Sequence, residues 1–179
     1  MSRRQDRATS PPLPVKTPHL LNAGSNCRKL LAELSGILPA SANELIEDEI
    51  NRNAIALFKL GEGHFLFAKG LNKALWRQKI SRLYYGAYNA RRAINLHGSG
   101  KYSVDVSDHK NIDSLPGSFP NSSTYSVQLP TLRNDRNLAD YDHEAVEADL
   151  LISVEDAEDL VTQFLSDVAN YLTSKGLTL

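Results

Sequence analysis

From Trp76 to Ile94 the apolar positions recur at Trp76, Ile80, Leu83, Ala87, Ala90 and Ile94, in steps of 4, 3, 4, 3 and 4. That spacing keeps them on one face of an α-helix. The helix it predicts runs from about Lys73 to His97. Tyr84, Tyr85 and Tyr88 flank the stripe, and Gly98-Ser99-Gly100 ends it. Upstream, Ile46, Ile50, Ala54, Leu57 and Leu60 form a second stripe. It begins at Ser41, with Glu44 at capping-box spacing, and Gly61 and Gly63 are read as its interruption. Before it, Ser25 or Asn26 caps a short helix carrying Leu30, Leu31, Leu34 and Ile37, which Pro39 closes. Near the C-terminus Val146, Leu150, Val154, Ala157, Val161, Phe164, Val168 and Leu172 predict a long helix from Glu144 to Ser174. Residues 99–130 are rich in Ser, Gly, Pro and Asn and read as a long loop, with one short helix near Asp108–Leu115. A helix then resumes at about Thr131, after Pro130, and runs to near Asp140. No strand pair with hairpin chemistry and no repeat occurs. The expected fold is all-α, an up-and-down bundle of four or five helices with a long loop ahead of the Arg/His segment described below.

Charge divides the chain. The 179 residues are 41% hydrophobic and 23% charged, the balance of one globular domain. Residues 1–20 hold Arg3, Arg4, Arg7 and Lys16 against Asp6, together with four of the eight prolines. Residues 1–24 are therefore expected to be a disordered basic tail, ahead of a helical domain over 25–179. The tail has no apolar core of a secretory signal. The only cysteine, Cys27, excludes an internal disulfide framework and a cysteine-rich zinc site, and fits a reducing cytoplasmic setting. No run of 18 apolar residues is present to span a membrane. The net charge of −1 predicts no nucleic-acid partner by itself. Locally, however, Lys73 to Lys101 holds seven basic residues and no acid, whereas Asp142 to Asp167 holds nine acids and no Lys or Arg. Either the two helices pair within the bundle or the basic one meets phosphates.

Among candidate chemistries, metal binding has no support. His19, His64, His97, His109 and His143 form no pair at metal-ligand spacing, and no Glu-x-x-His pairs stand on facing helices. Gly61-Glu62-Gly63 lacks the third glycine of a phosphate-cradling loop. The segment Leu132 to His143 remains, crowding Arg133, Asn134, Asp135, Arg136, Asn137, Asp140, Tyr141 and His143 into twelve residues. Arginine is a permanent, fork-shaped phosphate clamp, and histidine exchanges a proton near neutral pH. Together they suit phosphodiester cleavage without a metal. Histidine deprotonates a ribose 2′-hydroxyl or protonates the leaving oxygen, and arginine holds the developing charge.

Two stretches resemble the HEPN superfamily. Ser81-Arg82-Leu83-Tyr84-Tyr85-Gly86-Ala87-Tyr88-Asn89-Ala90 is similar to its signature helix, Ser-Arg-x-Tyr-Tyr-Ala-x-(Phe/Tyr)-(His/Asn)-Ala-Ala. Arg136-Asn137-Leu138-Ala139-Asp140-Tyr141 resembles its second landmark, and His109-Lys110 stands where relatives often have Ser-His-Lys. The likeness covers about residues 41–174. It implies a HEPN-like bundle and a metal-independent endoribonuclease of toxin or defence type. Arg136, Asn137 and His143 carry the catalytic pattern of an arginine, a polar residue and a later histidine, with six residues between Arg136 and His143. One such pair per chain is half of a composite site, which implies a homodimer. RNA is the expected partner, met by Arg82, Arg91 and Arg92 of the basic helix and by Arg133 and Tyr141. No cofactor or metal is expected. The alternatives are a non-catalytic RNA-binding or adaptor bundle, and a partner subunit for a nucleotidyltransferase, with an antitoxin protein as a further expected partner. Ala145 stands where the toxin branch often has tyrosine, so modification at that position does not carry over.

Overall fold

The structure is a computed structural model and describes residues 26–103 and 106–179. The tail expected over 1–24 lies outside them. Asn26 starts the first helix, α1 (Cys27–Leu34), by accepting a hydrogen bond from the Lys29 amide at 2.9 Å. Helix α2 (Ala40–Gly70) follows, then α3 (Trp76–Ser99), α4 (Ser122–Tyr141) and α5 (Val154–Ser174). Gly100 ends α3 in the left-handed region at φ 67°. No strand occurs among the described residues, so the all-α bundle expected from the periodicity is what the chain forms. No helix among them is long and apolar enough to cross a membrane.

Helix α3 is the central element, packed on α2, α4 and α5. Its stripe is the core: Ile80, Leu83, Ala87, Ala90 and Ile94 are buried, and Trp76 packs against the edge. Contacts set the directions. His64 meets Arg82 while Gly61 lies against Gly86 and Ala90, so α2 and α3 are antiparallel. Ser81 meets Asp140 and Tyr85 meets Arg136, so α3 and α4 are antiparallel as well. Lys73, just before α3, meets Glu155 and Lys79 on α3 meets Glu158, so α3 and α5 run parallel. The basic and acidic helices therefore do pair in part. The Lys79–Glu158 contact, at 2.7 Å, is largely sheltered, while Lys73–Glu155 is exposed.

Three boundaries differ from the sequence reading, each for a local reason. Helix α2 runs through Gly61 and Gly63 without a break. Burial of Ile50, Ala54, Leu57 and Phe58 below, and of Ala68 above, holds it together. Helix α4 begins nine residues before the expected Thr131, at Ser122, and keeps Pro130 inside it. The proline costs roughly 3 kcal/mol in a helix interior. Burying Tyr125, Leu129 and Leu132 offsets this at about 1.5–3 kcal/mol per large apolar side chain. The Thr131 hydroxyl also satisfies the Val127 carbonyl at 3.1 Å, one turn back. Residues 144–153, expected to open the last helix, belong instead to a connection over 142–153 with one short 3-10 turn, Glu147–Asp149. There Asp142 accepts from the Glu144 amide at 3.0 Å and Asp149 from the Val146 amide at 2.8 Å. Such side-chain bonds to nearby amides compete with helix. Helix α5 starts only where Ser153 caps the Asp156 amide at 3.0 Å.

Candidate functional site

Because α3 presents Tyr84 and Tyr88 one turn apart, their rings stack, with centroids 6.0 Å apart and 13° between planes. The stretch after α3 contributes a 3-10 turn, Val106–Asn111, which lays His109 flat on Tyr88 at 4.1 Å and 19°. His109 Nδ1 is 2.7 Å from the Tyr84 hydroxyl. Two bonds to Asp108 hold that turn: Tyr88 donates at 3.2 Å and Arg91 at 2.8 Å.

From the other side α4 delivers Arg136. Its Nε lies 2.7 Å from Asp140 Oδ2, an i, i+4 pair on the same helix. One terminal nitrogen donates to the Tyr85 hydroxyl, the other to Asn137 Oδ1 at 3.1 Å. The guanidinium carbon stands 5.5, 5.2 and 5.2 Å from the ring centres of Tyr84, Tyr85 and Tyr141, inside cation–π range. Arg136 is thus a cation held in one place by a carboxylate, a phenol and three rings.

The electrostatics follow from this packing. Burial, then the Arg136 charge, holds His109 below the ordinary histidine value, so the ring is neutral at pH 7. Burial raises Tyr84 well above an ordinary phenol, and burial together with Asp108 raises Tyr88 to about 12. For Arg136 burial opposes the charge, and the Tyr85 and Asp140 oxygens outweigh it. The cluster therefore offers a fixed positive charge, a neutral imidazole and uncharged phenols. That is a chemistry for holding an anion and exchanging a proton.

The candidate residues read from sequence divide. Arg136 and Asn137 are in the cluster, with Tyr141 over Arg136 and 72% exposed. Arg133 reaches the Lys110 carbonyl at 3.2 Å, at its border. Arg92 lies over Tyr88 and Tyr102, and exposed Arg82 over Phe67 with a contact to His64 at 3.3 Å. Arg91 corrects the expectation of an RNA contact: it is 4% exposed and committed to Asp108 and the Ser114 carbonyl. His143 stands apart, its side chain 92% exposed, with a Glu144 carboxylate oxygen 3.9 Å from Nε2. It sits in the connection after α4, not at a helix N-terminus.

Two contributors carry little signal in the chain. Arg77, read only as one of the basic helix's charges, donates to the carbonyls of Ala139 at 2.9 Å, Asp142 at 2.6 Å and Ala145. It ties the end of α4 and the backbone on both sides of His143 to α3. Asp135, 1% exposed, accepts from the amides of Leu151 and Ile152 at 2.8 and 3.1 Å and fixes the far end of that connection. A run of basic residues on a helix does not reveal which of them turns inward to carbonyls. No group of His, Cys, Asp and Glu suited to a metal ion occurs among the described residues.

A stability profile follows from the histidines. Burial lowers His64, His97 and His109 alike, so between their folded values and about 6.5 the unfolded chain binds more protons. Stability accordingly rises with pH through that window and is lost on acidification. Asp135, raised by burial, acts with the opposite sign nearer the carboxylate range. Above about pH 10 the raised phenols Tyr84 and Tyr88 reverse the trend, because the unfolded chain gives up protons that the fold retains. The thermal midpoint is expected to be lower at pH 5.5 and at pH 10.5 than at pH 7.5. A midpoint flat or rising from pH 7.5 to 5.5 would contradict the burial of the three rings.

Comparison with protein-family models, with curated proteins and with solved structures finds no match to this chain.

Proposed function

We propose that this protein is a metal-independent endoribonuclease of toxin or defence type that works as a homodimer, with Arg136 holding the scissile phosphate. The observation that carries the reading is the seating of Arg136. A guanidinium pinned by Asp140, Tyr85 and Asn137 among three tyrosine rings is preorganised for a phosphate, and the partly exposed Arg92 and Arg133 lie nearby to meet flanking phosphates. His143 exchanges a proton with the substrate. Within one chain it does not contact Arg136, and its ring projects from backbone that Arg77 fixes. A second copy supplies the geometry in which the exposed histidine of one chain serves the arginine of the other.

A specific observation supports the second reading, a non-catalytic RNA-binding bundle. The separation of Arg136 from His143 costs binding nothing, and exposed Tyr141 is a stacking surface for a base. Incubation of the purified protein with mixed RNA in EDTA decides between them. The nuclease cleaves in chelator, leaves a 2′,3′-cyclic phosphate or its 3′-phosphate product, spares DNA, and sediments as a dimer at tens of micromolar. Binding without cleavage would replace it with the adaptor.

A further inference from the structure

We infer that His109 is a second proton-transfer residue of the Arg136 site, accepting the proton of the attacking ribose hydroxyl. The inference rests on the ribonuclease reading and adds to it a residue outside the Arg136–His143 motif.

His109 is 27 residues before Arg136 in the chain, yet both border the same two phenols. Tyr84 holds Nδ1 of His109 at 2.7 Å, and its ring lies 5.5 Å from the Arg136 guanidinium carbon. Tyr85 bonds Arg136 through its hydroxyl and meets the His109 ring edge-on at 6.1 Å. An anion held by Arg136 is therefore brought next to an imidazole that the molecule has already oriented. The orientation is fixed twice, by the stack on Tyr88 and by the bond to Tyr84. A base so held loses little freedom when substrate binds. Of the two tautomers that the Tyr84 contact allows, the one with Nδ1–H donated to the Tyr84 oxygen leaves Nε2 its lone pair, the form a general base needs, and is the one the proposal assigns.

The charged and titratable groups facing the ring come from three elements. Tyr84, Tyr85, Tyr88, Arg91 and Arg92 stand on α3, Asp108 on the 3-10 turn, and Arg136 on α4. Burial and Arg136 act in one direction, keeping the ring unprotonated, against the smaller effect of Asp108. In the step proposed, Nε2 takes the 2′-hydroxyl proton and the 2′ oxygen forms its bond to phosphorus. The P–O5′ bond breaks, and the 5′ oxygen takes a proton from His143. The products are a 2′,3′-cyclic phosphate and a 5′-hydroxyl, with one proton gained by His109 and one lost by His143. Exchange with water restores both.

The test uses the full-length protein and a single-stranded RNA substrate in EDTA. His109→Gln keeps an amide that can bond Tyr84 and cannot take a proton. It is expected to lower kcat about 10²–10⁴-fold, the usual span for a general acid–base group, with RNA affinity within about twofold of wild type. In wild type, the acid limb of the kcat/KM profile is expected to coincide with the titration of the His109 ring followed by NMR. That comparison needs no variant and holds even if His109→Gln fails to fold. A folded His109→Gln protein cleaving at the wild-type rate overturns the inference and leaves the ribonuclease reading standing, as does an acid limb that misses the His109 titration. Wild type that binds RNA and never cleaves it overturns both.

Discussion

Replacing Gly61 by valine is expected to destabilise the protein by about 3 kcal/mol, the upper range for overpacking, and to lower its thermal midpoint by about 10 °C for a chain of this size. A Cβ at Gly61 would stand 2.7 Å from the Gly86 carbonyl oxygen and 3.2 Å from the Ala90 amide nitrogen. Both are backbone atoms of α3 and cannot rotate away, so the two helices must separate along the longest contact in the bundle. Gly86 adjoins Tyr85, so the separation also displaces the phenol that holds Arg136. Gly63, two residues along the same helix, meets nothing within 4 Å. Gly63→Ala is expected to stabilise by about 0.5–1 kcal/mol through helix propensity alone. Thermal unfolding of the two variants side by side checks the pair. Equal midpoints would mean that the close approach of α2 and α3 at Gly61 is not a property of the folded chain.

That contrast shows what periodicity can and cannot convey. The stripe from Trp76 to Ile94 is legible because burial repeats along the helix itself, and five of its six members are buried. Gly61 reads equally well as a helix stop and as a close-contact residue, because the choice depends on what α3 presents opposite it. Pro130 reads as a helix boundary until the burial of Leu129 and Leu132 on either side of it is known. Val146 and Leu150 continue the helical spacing of α5, yet beside them Asp142 and Asp149 turn to backbone amides instead. At the candidate site, Arg136, Asn137 and Tyr141 are recoverable because they are close neighbours on one helix. His109 is not, since only its stack on Tyr88 and its bond to Tyr84, from another element, bring it there. Arg91 shows the converse: adjacent to Arg92 on a basic helix, it turns inward to Asp108 while Arg92 stays partly exposed.

Arg136→Ala is expected to lower RNA cleavage about 10²–10³-fold, the loss usual when one donor to a developing oxyanion is removed. Arg136→Lys separates charge from shape. Lysine restores the positive charge but carries one ammonium in place of a planar fork. It cannot meet Asp140 and the Tyr85 hydroxyl as Arg136 does while presenting a second pair of donors to a phosphate. Cleavage by the lysine variant is expected to fall about 10–100-fold, between alanine and wild type, as one of two parallel bonds is lost. His143→Ala, read in the same assay, is expected to cost about 10²–10⁴-fold. The exposed His143 side chain packs against nothing, so His143→Ala should stay within a few degrees of the wild-type midpoint. The Arg136 variants lose the Asp140 pair and the packing on three rings and are expected to melt several degrees lower, so cleavage is compared at a temperature where all are folded. Cleavage at wild-type rate by Arg136→Lys would reduce the arginine to a point charge, and the ordered guanidinium among Tyr84, Tyr85 and Tyr141 would then be a feature of stability alone.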